Sequence, residues 1–206
     1  MKIYEHKGFP NPMRVRVALA EKGLTHRAEF VPVDVTKGEH RTPEFLARNP
    51  AGAVPVLELD DGTCIAECTA ITEYLDHLDG DPVLTGRTPE ERAVIAMMQR
   101  RAEAGLLDAV GAYFHHATRG LGPQLETYQN REWGERQRER AVATMRQLDG
   151  VLATRPYLAG DRFTVADITT LAGLAFAGFA EIGIPEQCAS LRAWQARVAQ
   201  RPSVAA

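Results

Sequence analysis

Along the first 80 residues the apolar positions switch repeatedly between a period of two and a period near 3.6. Lys2-Ile3-Tyr4 is short and strand-compatible. After Pro12, Val15, Val17-Ala18 and Leu19 recur at helical spacing until Gly23, a natural stop. Ala28 to Val35 (AEFVPVDV) alternates like a second strand, and Pro32 suits it to a sheet edge. Thr42-Pro43-Glu44 opens a short helix through Phe45-Leu46, which Asn49-Pro50 ends. Val54 to Leu59, the Asp60-Asp61-Gly62-Thr63 turn and Cys64-Ile65 form the clearest local signal, a β-hairpin. Thr69 to Leu78 is then helical, with Ile71, Tyr74, Leu75 and Leu78 on one face. The order is βαβαββα, and its closing hairpin implies a mixed sheet backed by helices.

The stretch DGDPVLTGRTP, residues 79–89, breaks both periods and reads as a linker. Beyond it nothing reads as a strand. Helices are expected over 89–118, 132–154, 164–182 (largely apolar) and 191–200, the last stopped by Pro202. The chain therefore divides into an α/β domain over 1–80, a linker over 81–88 and an all-helical domain over 89–206.

Composition narrows the function classes. At 206 residues and 45% hydrophobic, the chain can bury a sizeable core. A net charge of −3 gives no polyelectrolyte footprint, so nucleic acid is not an expected partner. No run approaches the roughly 18 to 20 apolar residues that span a bilayer, and MKIYEHKGFP lacks a signal peptide's apolar core. Cys64, Cys68 and Cys188 match neither a complete disulfide framework nor a four-ligand zinc pattern. A reducing cytoplasm and no metal are the expectations.

Three ordered segments carry a family resemblance. Asn49-Pro50 to Val54-Pro55-Val56-Leu57 looks like an NPxGxVPxL segment. Glu67-Cys68-Thr69-Ala70-Ile71 resembles ESxAI with cysteine in place of serine, and Gly160 to Asp167 resembles GDxFTxAD. Together with the βαβαββα, linker, helical-bundle layout they resemble the glutathione transferase family. Gly38-Glu39-His40, Val56 to Thr63, Ala66 to Asp76 and Tyr113 to Thr118 are similar to its yeast-type subgroup and bacterial relatives. The resemblance implies a thioredoxin-like N-terminal domain that binds glutathione as co-substrate. It further implies an all-helical C-terminal domain contributing the electrophile site, and a homodimer.

Each segment also has its own physical reading. An X-Pro bond is where a cis peptide costs least, about 0.5–1 kcal/mol. The residues alone leave Val54–Pro55 trans or cis, while the resemblance implies cis, with Val54 backbone groups pairing to the cysteinyl unit. Glu67 and Cys68 precede an apolar-periodic helix, where free N–H groups and the dipole favour an anion. By resemblance Glu67 holds the γ-glutamyl ammonium, and the N–H groups of Cys68 and Thr69 hold its carboxylate. His40 reaches the glycyl carboxylate, helped by Arg41 or Lys37; the bland reading is a solvated loop histidine. Thr164 to Asp167 is a capping box and is read as structural.

The chemistry demands a thiolate. An ordinary thiol with a pKa near 8.5 is only about 3% ionised at pH 7, and a two-unit drop requires about 2.7 kcal/mol. The family places a Tyr, Ser or Cys near the first strand–helix junction. Here, aligned on Pro12 and Arg14, Pro10 stands where serine would be, without hydroxyl or N–H. The substitutes are the Asn11 side-chain amide, the backbone N–H groups of Met13 and Arg14, or His115 or His116 from the second domain. Tyr4 and Tyr113 also carry hydroxyls. Ala104, Asp108, Gly111 and His115 follow 4, 3, 4 spacing on one helix face, which favours His115; dipole complementarity at a helix end is the competing reading.

Asn11 and His115 are therefore the candidate catalytic residues. His40, Val54, Pro55, Glu67 and Cys68 are the candidate glutathione-binding residues. Phe9, Met13, Tyr113 and Phe114 are candidates to line the site of a moderately hydrophobic electrophile. The rival function is a noncatalytic glutathione-binding or carrier protein. Disulfide exchange through Cys68 is a third option, although no C-x-x-C motif occurs.

Overall fold

The computed structural model describes residues 1–205, which form two compact units, Met1–Asp81 and the chain from Pro82 on. The first unit holds strands β1 (Lys2–Glu5), β2 (Glu29–Pro32), β3 (Val56–Glu58) and β4 (Cys64–Ala66). Its helices are α1 (Pro10–Glu21), α2 (Pro43–Arg48) and α3 (Cys68–His77). The sheet order is β2-β1-β3-β4, with β1 parallel to β2 and antiparallel to β3, and β3 antiparallel to β4. This mixed sheet is the thioredoxin-like arrangement expected from βαβαββα. β2 is an edge strand, so Pro32 removes no ladder hydrogen bond from the sheet interior.

On one sheet face Ile3 and Leu57 pack with Val15, Leu19, Cys68, Ile71 and Leu75 of α1 and α3. Burying each large apolar side chain contributes about 1.5–3 kcal/mol. On the other, Tyr4, Val33, Phe45 and Val56 form the smaller core beside α2. Lys22 closes α1: its buried ammonium lies 3.3 Å from Asp76 and 2.8 Å from Asp79, joining the ends of α1 and α3.

The second unit is entirely helical: α4 (Pro89–Ala102), α5 (Asp108–Ala117), α6 (Arg131–Leu152), α7 (Val165–Phe179), α8 (Ala189–Val198) and α9 (Pro202–Ala205). α7 is buried along most of its length, and Trp194, Leu148, Met145 and Leu106 complete the core around it. Asp167 accepts the N–H and hydroxyl of Thr164 (3.0 Å each), the Leu158 N–H (3.1 Å) and the Trp194 indole (3.2 Å). The capping box thus also ties α7 to α8. Residues 82–88 are anchored within this unit. Leu84 accepts the Val165 N–H at 3.1 Å, and Val83 accepts the Arg162 guanidinium, itself paired to Glu91 at 2.7 and 2.9 Å.

Three local expectations change. The helix expected over 89–118 contains a π turn at Glu103–Leu107 between α4 and α5. Gly105 sits in that turn where an added Cβ would come within 2.5 Å of the Thr144 hydroxyl, so α6 approaches it closely. The inserted residue rotates the helix beyond the turn by about 100°, so the 4, 3, 4 spacing from Ala104 does not describe one face. α1 begins at Pro10, earlier than the periodicity after Pro12 indicates. Finally, Pro202 does more than stop α8: it opens the short α9, since proline is tolerated in a first helical turn.

Candidate functional site

The mouth of α1 is the first part of the site. Phe9 is the N-cap, with extended backbone, and Pro10 takes the first helical position. Neither Pro10 nor Pro12 has an N–H, and the Met13 N–H bonds to the Phe9 carbonyl at 3.1 Å. Of the backbone donors expected here, Met13 is therefore already used, and Arg14 lies a full turn inside the helix, because the helix starts early. Asn11 supplies what remains. Its Oδ1 accepts from the Arg14 guanidinium at 3.1 Å, which sets the amide orientation and leaves the NH2 group turned away from Arg14. Its backbone carbonyl accepts from the buried Cys68 thiol at 3.3 Å. The Tyr4 hydroxyl, by contrast, donates to Glu58 at 2.9 Å and is committed to the sheet.

The second part is the turn from Asp34 to Arg41. Asp34 accepts the N–H groups of Thr36 (3.0 Å) and Lys37 (3.2 Å), while its own N–H donates to Glu39 at 2.6 Å. The Thr36 hydroxyl, donating to the Asp34 carboxyl at 2.6 Å, and then the Lys37 ammonium at 3.1 Å hold that carboxyl down at about 2. The exposed Lys37 ammonium is paired with Asp34. His40 is buried rather than solvated, and its Nδ1 makes no hydrogen bond. Desolvation, and secondarily Arg41, push its pKa below the usual histidine value, so the imidazole is neutral at neutral pH.

Beyond α2 a tight turn leads into β3. The buried Asn49 donates its side-chain amide to the Ala53 carbonyl at 2.8 Å and accepts the Ala51 N–H at 3.1 Å. Gly52, at φ +58°, lies against the His40 backbone: a Cβ there would stand 3.2 Å from the His40 carbonyl oxygen. The Val54–Pro55 bond at the end of this turn is cis. Val54 is half-buried and precedes the β3–β4 ladder, which begins at Val56↔Ala66.

The N-terminus of α3 is the fourth part. Glu67 is exposed, caps the helix with a positive φ of 67°, and makes no side-chain capping bond. Its carbonyl closes the first turn to the Ile71 N–H at 2.9 Å. A non-glycine residue held there costs on the order of 1–3 kcal/mol. The Cys68 thiol points inward to the Asn11 carbonyl, and disulfide exchange through this buried sulfur loses its support.

In the helical unit, α5 carries the remaining candidates. His115 Nδ1 lies 2.7 Å from Glu126 Oε1, which also takes the Leu121 N–H at 2.8 Å. A carboxylate only accepts, so Nδ1 carries a proton and donates it to Glu126. Gln129 donates to the carbonyls of His115 (2.7 Å) and Thr118 (2.9 Å), and the Asn130 N–H donates to His116 Nδ1 at 3.1 Å. The two histidines therefore brace the segment 118–130 instead of only facing the helix dipole. Phe114 packs on Phe176 (5.4 Å between ring centroids) and Phe179 (5.7 Å), and Phe179 is exposed. Tyr113 lies under the Arg138 guanidinium at 6.0 Å. Among the described residues no group of three potential metal ligands occurs, and no helix is long and apolar enough to cross a membrane.

Asn49 was legible as a helix stop and as the start of the NPxGxVPxL segment, but not as the side chain that ties the turn together, whereas Glu126, eleven residues from its partner in an irregular loop, gave no signal at all.

A mixed four-stranded thioredoxin-like unit followed by an all-helical unit defines the class as the glutathione transferase fold. Residues 10–78 match the family model for the glutathione S-transferase N-terminal domain, and residues 105–202 match that for the C-terminal domain. The chain belongs to the glutathione S-transferase family. It is 60% identical over 204 residues to glutathione S-transferase 2 of Saccharomyces cerevisiae, covering 99% of this chain and 88% of that one. The crystal structure of Gtt2 from S. cerevisiae superimposes with a TM-score of 0.98, covering 100% of this chain and 99% of that one. A glutathione S-transferase domain-containing protein of Marinobacter aquaeolei VT8 matches at TM-score 0.97 and 66% identity, covering 99% and 100%.

Proposed function

We propose that this protein binds glutathione in its N-terminal unit and conjugates the thiolate to a hydrophobic electrophile. The observation that carries this reading is the Asn11 amide: with Oδ1 held by Arg14, its NH2 group is available as a donor beside two prolines that have none. In this reading Asn11 hydrogen-bonds the sulfur anion in place of the usual hydroxyl. The main chain at Val54 and Pro55 pairs with the cysteinyl unit. Glu67 takes the γ-glutamyl ammonium, and the first N–H groups of α3, at Cys68 and Thr69, take its carboxylate. The glycyl carboxylate receives a neutral donor hydrogen bond from His40.

Phe9, Met13, Tyr113 and Phe114 provide apolar surface for the electrophile. His115, oriented by Glu126, is assigned as the proton acceptor. Three free thiols fit a reducing cytoplasm. The family resemblance supports a homodimer, which light scattering tests.

The decisive experiment is calorimetric titration with glutathione joined to ultraviolet titration of the bound thiol. Saturable binding with a thiol pKa lowered by about two units, together with turnover of an electrophile panel, is the expected result. Binding without a pKa drop would identify a noncatalytic glutathione-binding protein instead.

A further inference from the structure

The β1–β2 ladder ends at Glu5↔Pro32, yet the two chains it joins continue into separate parts of the proposed site. Beyond that point the Val33 N–H still reaches the Glu5 carbonyl at 2.7 Å. One side chain extends the connection. His6 Nδ1 lies 2.9 Å from the Val33 carbonyl and 3.3 Å from the Val35 nitrogen. A single ring nitrogen cannot serve both in one tautomer: protonated it donates to Val33, unprotonated it accepts from Val35. The shorter contact selects donation to Val33. The same ring packs against Phe9, 4.3 Å between centroids, while the Phe9 N–H bonds to the His6 carbonyl at 3.1 Å.

Phe9 caps α1 two residues before Asn11, and Val35 enters the turn that carries His40 five residues later. His6 therefore stands between the two loops assigned to the sulfur end and the glycyl end of the tripeptide. We propose that His6 is a positioning residue that sets the spacing between Asn11 and His40, and so matches the site to the full length of glutathione. It acts through Phe9 and Val33, not on the substrate. The assignment rests on the glutathione reading and adds a specificity element to it.

The test compares glutathione with γ-glutamylcysteine, which lacks the glycyl carboxylate and does not span both loops. His6→Phe keeps a ring against Phe9 and removes the hydrogen bond. His6→Asn offers an amide N–H in place of Nδ1–H. By calorimetry on the full chain, His6→Phe should weaken glutathione binding about tenfold and γ-glutamylcysteine binding less than about twofold. His6→Asn should return glutathione affinity to within about threefold of the parent. Equal losses for both ligands, or His6→Phe binding like the parent, would overturn the assignment while leaving the glutathione reading intact. If the parent protein itself binds no glutathione, both fall. Should circular dichroism show His6→Phe unfolded, His6→Ala set against His6→Asn makes the same comparison, with equal losses again decisive against it.

Discussion

Glu67 is held at a positive φ that no core contact requires, whereas the Asn11 amide also satisfies the buried Arg14 guanidinium. Asn11 is half-buried, and its amide is fixed by Arg14 at the helix mouth. Replacing it by alanine removes one donor from a charged sulfur, an interaction worth about 1.5–3 kcal/mol. Asn11→Ala should therefore raise the bound thiol pKa by about one unit or more and lower kcat/KM about tenfold to a hundredfold at neutral pH. Stopped-flow absorbance of the thiolate and steady-state kinetics measure the two effects. At Glu67 the expected signs are opposed. Glu67→Gly releases the left-handed strain, about 1–3 kcal/mol, against a larger unfolded-state entropy of about 0.5–1 kcal/mol. Stability in urea should rise by roughly 1 kcal/mol, while glutathione affinity falls about tenfold or more with the lost carboxylate. A variant that loses both stability and affinity would assign Glu67 a structural role.

Elements with an amphipathic period could be read from the chain, and elements set by close approach could not. The βαβαββα order, the Asp-Gly hairpin and the Thr164–Asp167 cap are each written in a few adjacent residues. The π turn at Glu103–Leu107 depends on Gly105 meeting Thr144 of α6, a contact 39 residues away in the chain (144 − 105), and no local pattern announces it. The early start of α1 was hidden differently, because Pro10 and Pro12 both satisfy first-turn preferences. That small shift decided which backbone donors were free, so the site was legible in its residue types but not in its available hydrogen bonds. The cap carries its own prediction. Asp167→Asn keeps the shape but turns one accepting oxygen into a donor facing existing donors. It should destabilise the helical unit by about 2–4 kcal/mol in chemical denaturation.

At the scale of the whole molecule, the three family segments were legible because each lies where backbone geometry is tightly constrained: the cis bond, the α3 mouth and the α7 cap. The pH response depends instead on pairings distant in the chain. In the helical unit two carboxyls oppose each other. Burial raises Asp167 from 3.8 to about 6, so the folded state binds its proton more readily than the unfolded chain. Acidification from about 6 to 3.8 therefore stabilises the fold through this group. Glu91 behaves in the opposite sense. Hydrogen bonds from Arg162, then from the Arg87 N–H, lower it from 4.5 to about 2. Its contribution is complete above 4.5 and is lost as the pH falls toward 2. Stability of this unit should thus hold or rise slightly on mild acidification and then drop steeply. Glu91→Gln should lower stability at neutral pH and flatten the steep acid limb, and Asp167→Asn should abolish the gain above it. Urea denaturation followed by the fluorescence of Trp133 and Trp194, both in the helical unit, reads this directly between about pH 3 and about pH 7. An acid limb as steep in Glu91→Gln as in the parent would transfer the acid sensitivity from the Glu91–Arg162 pair to other carboxylates.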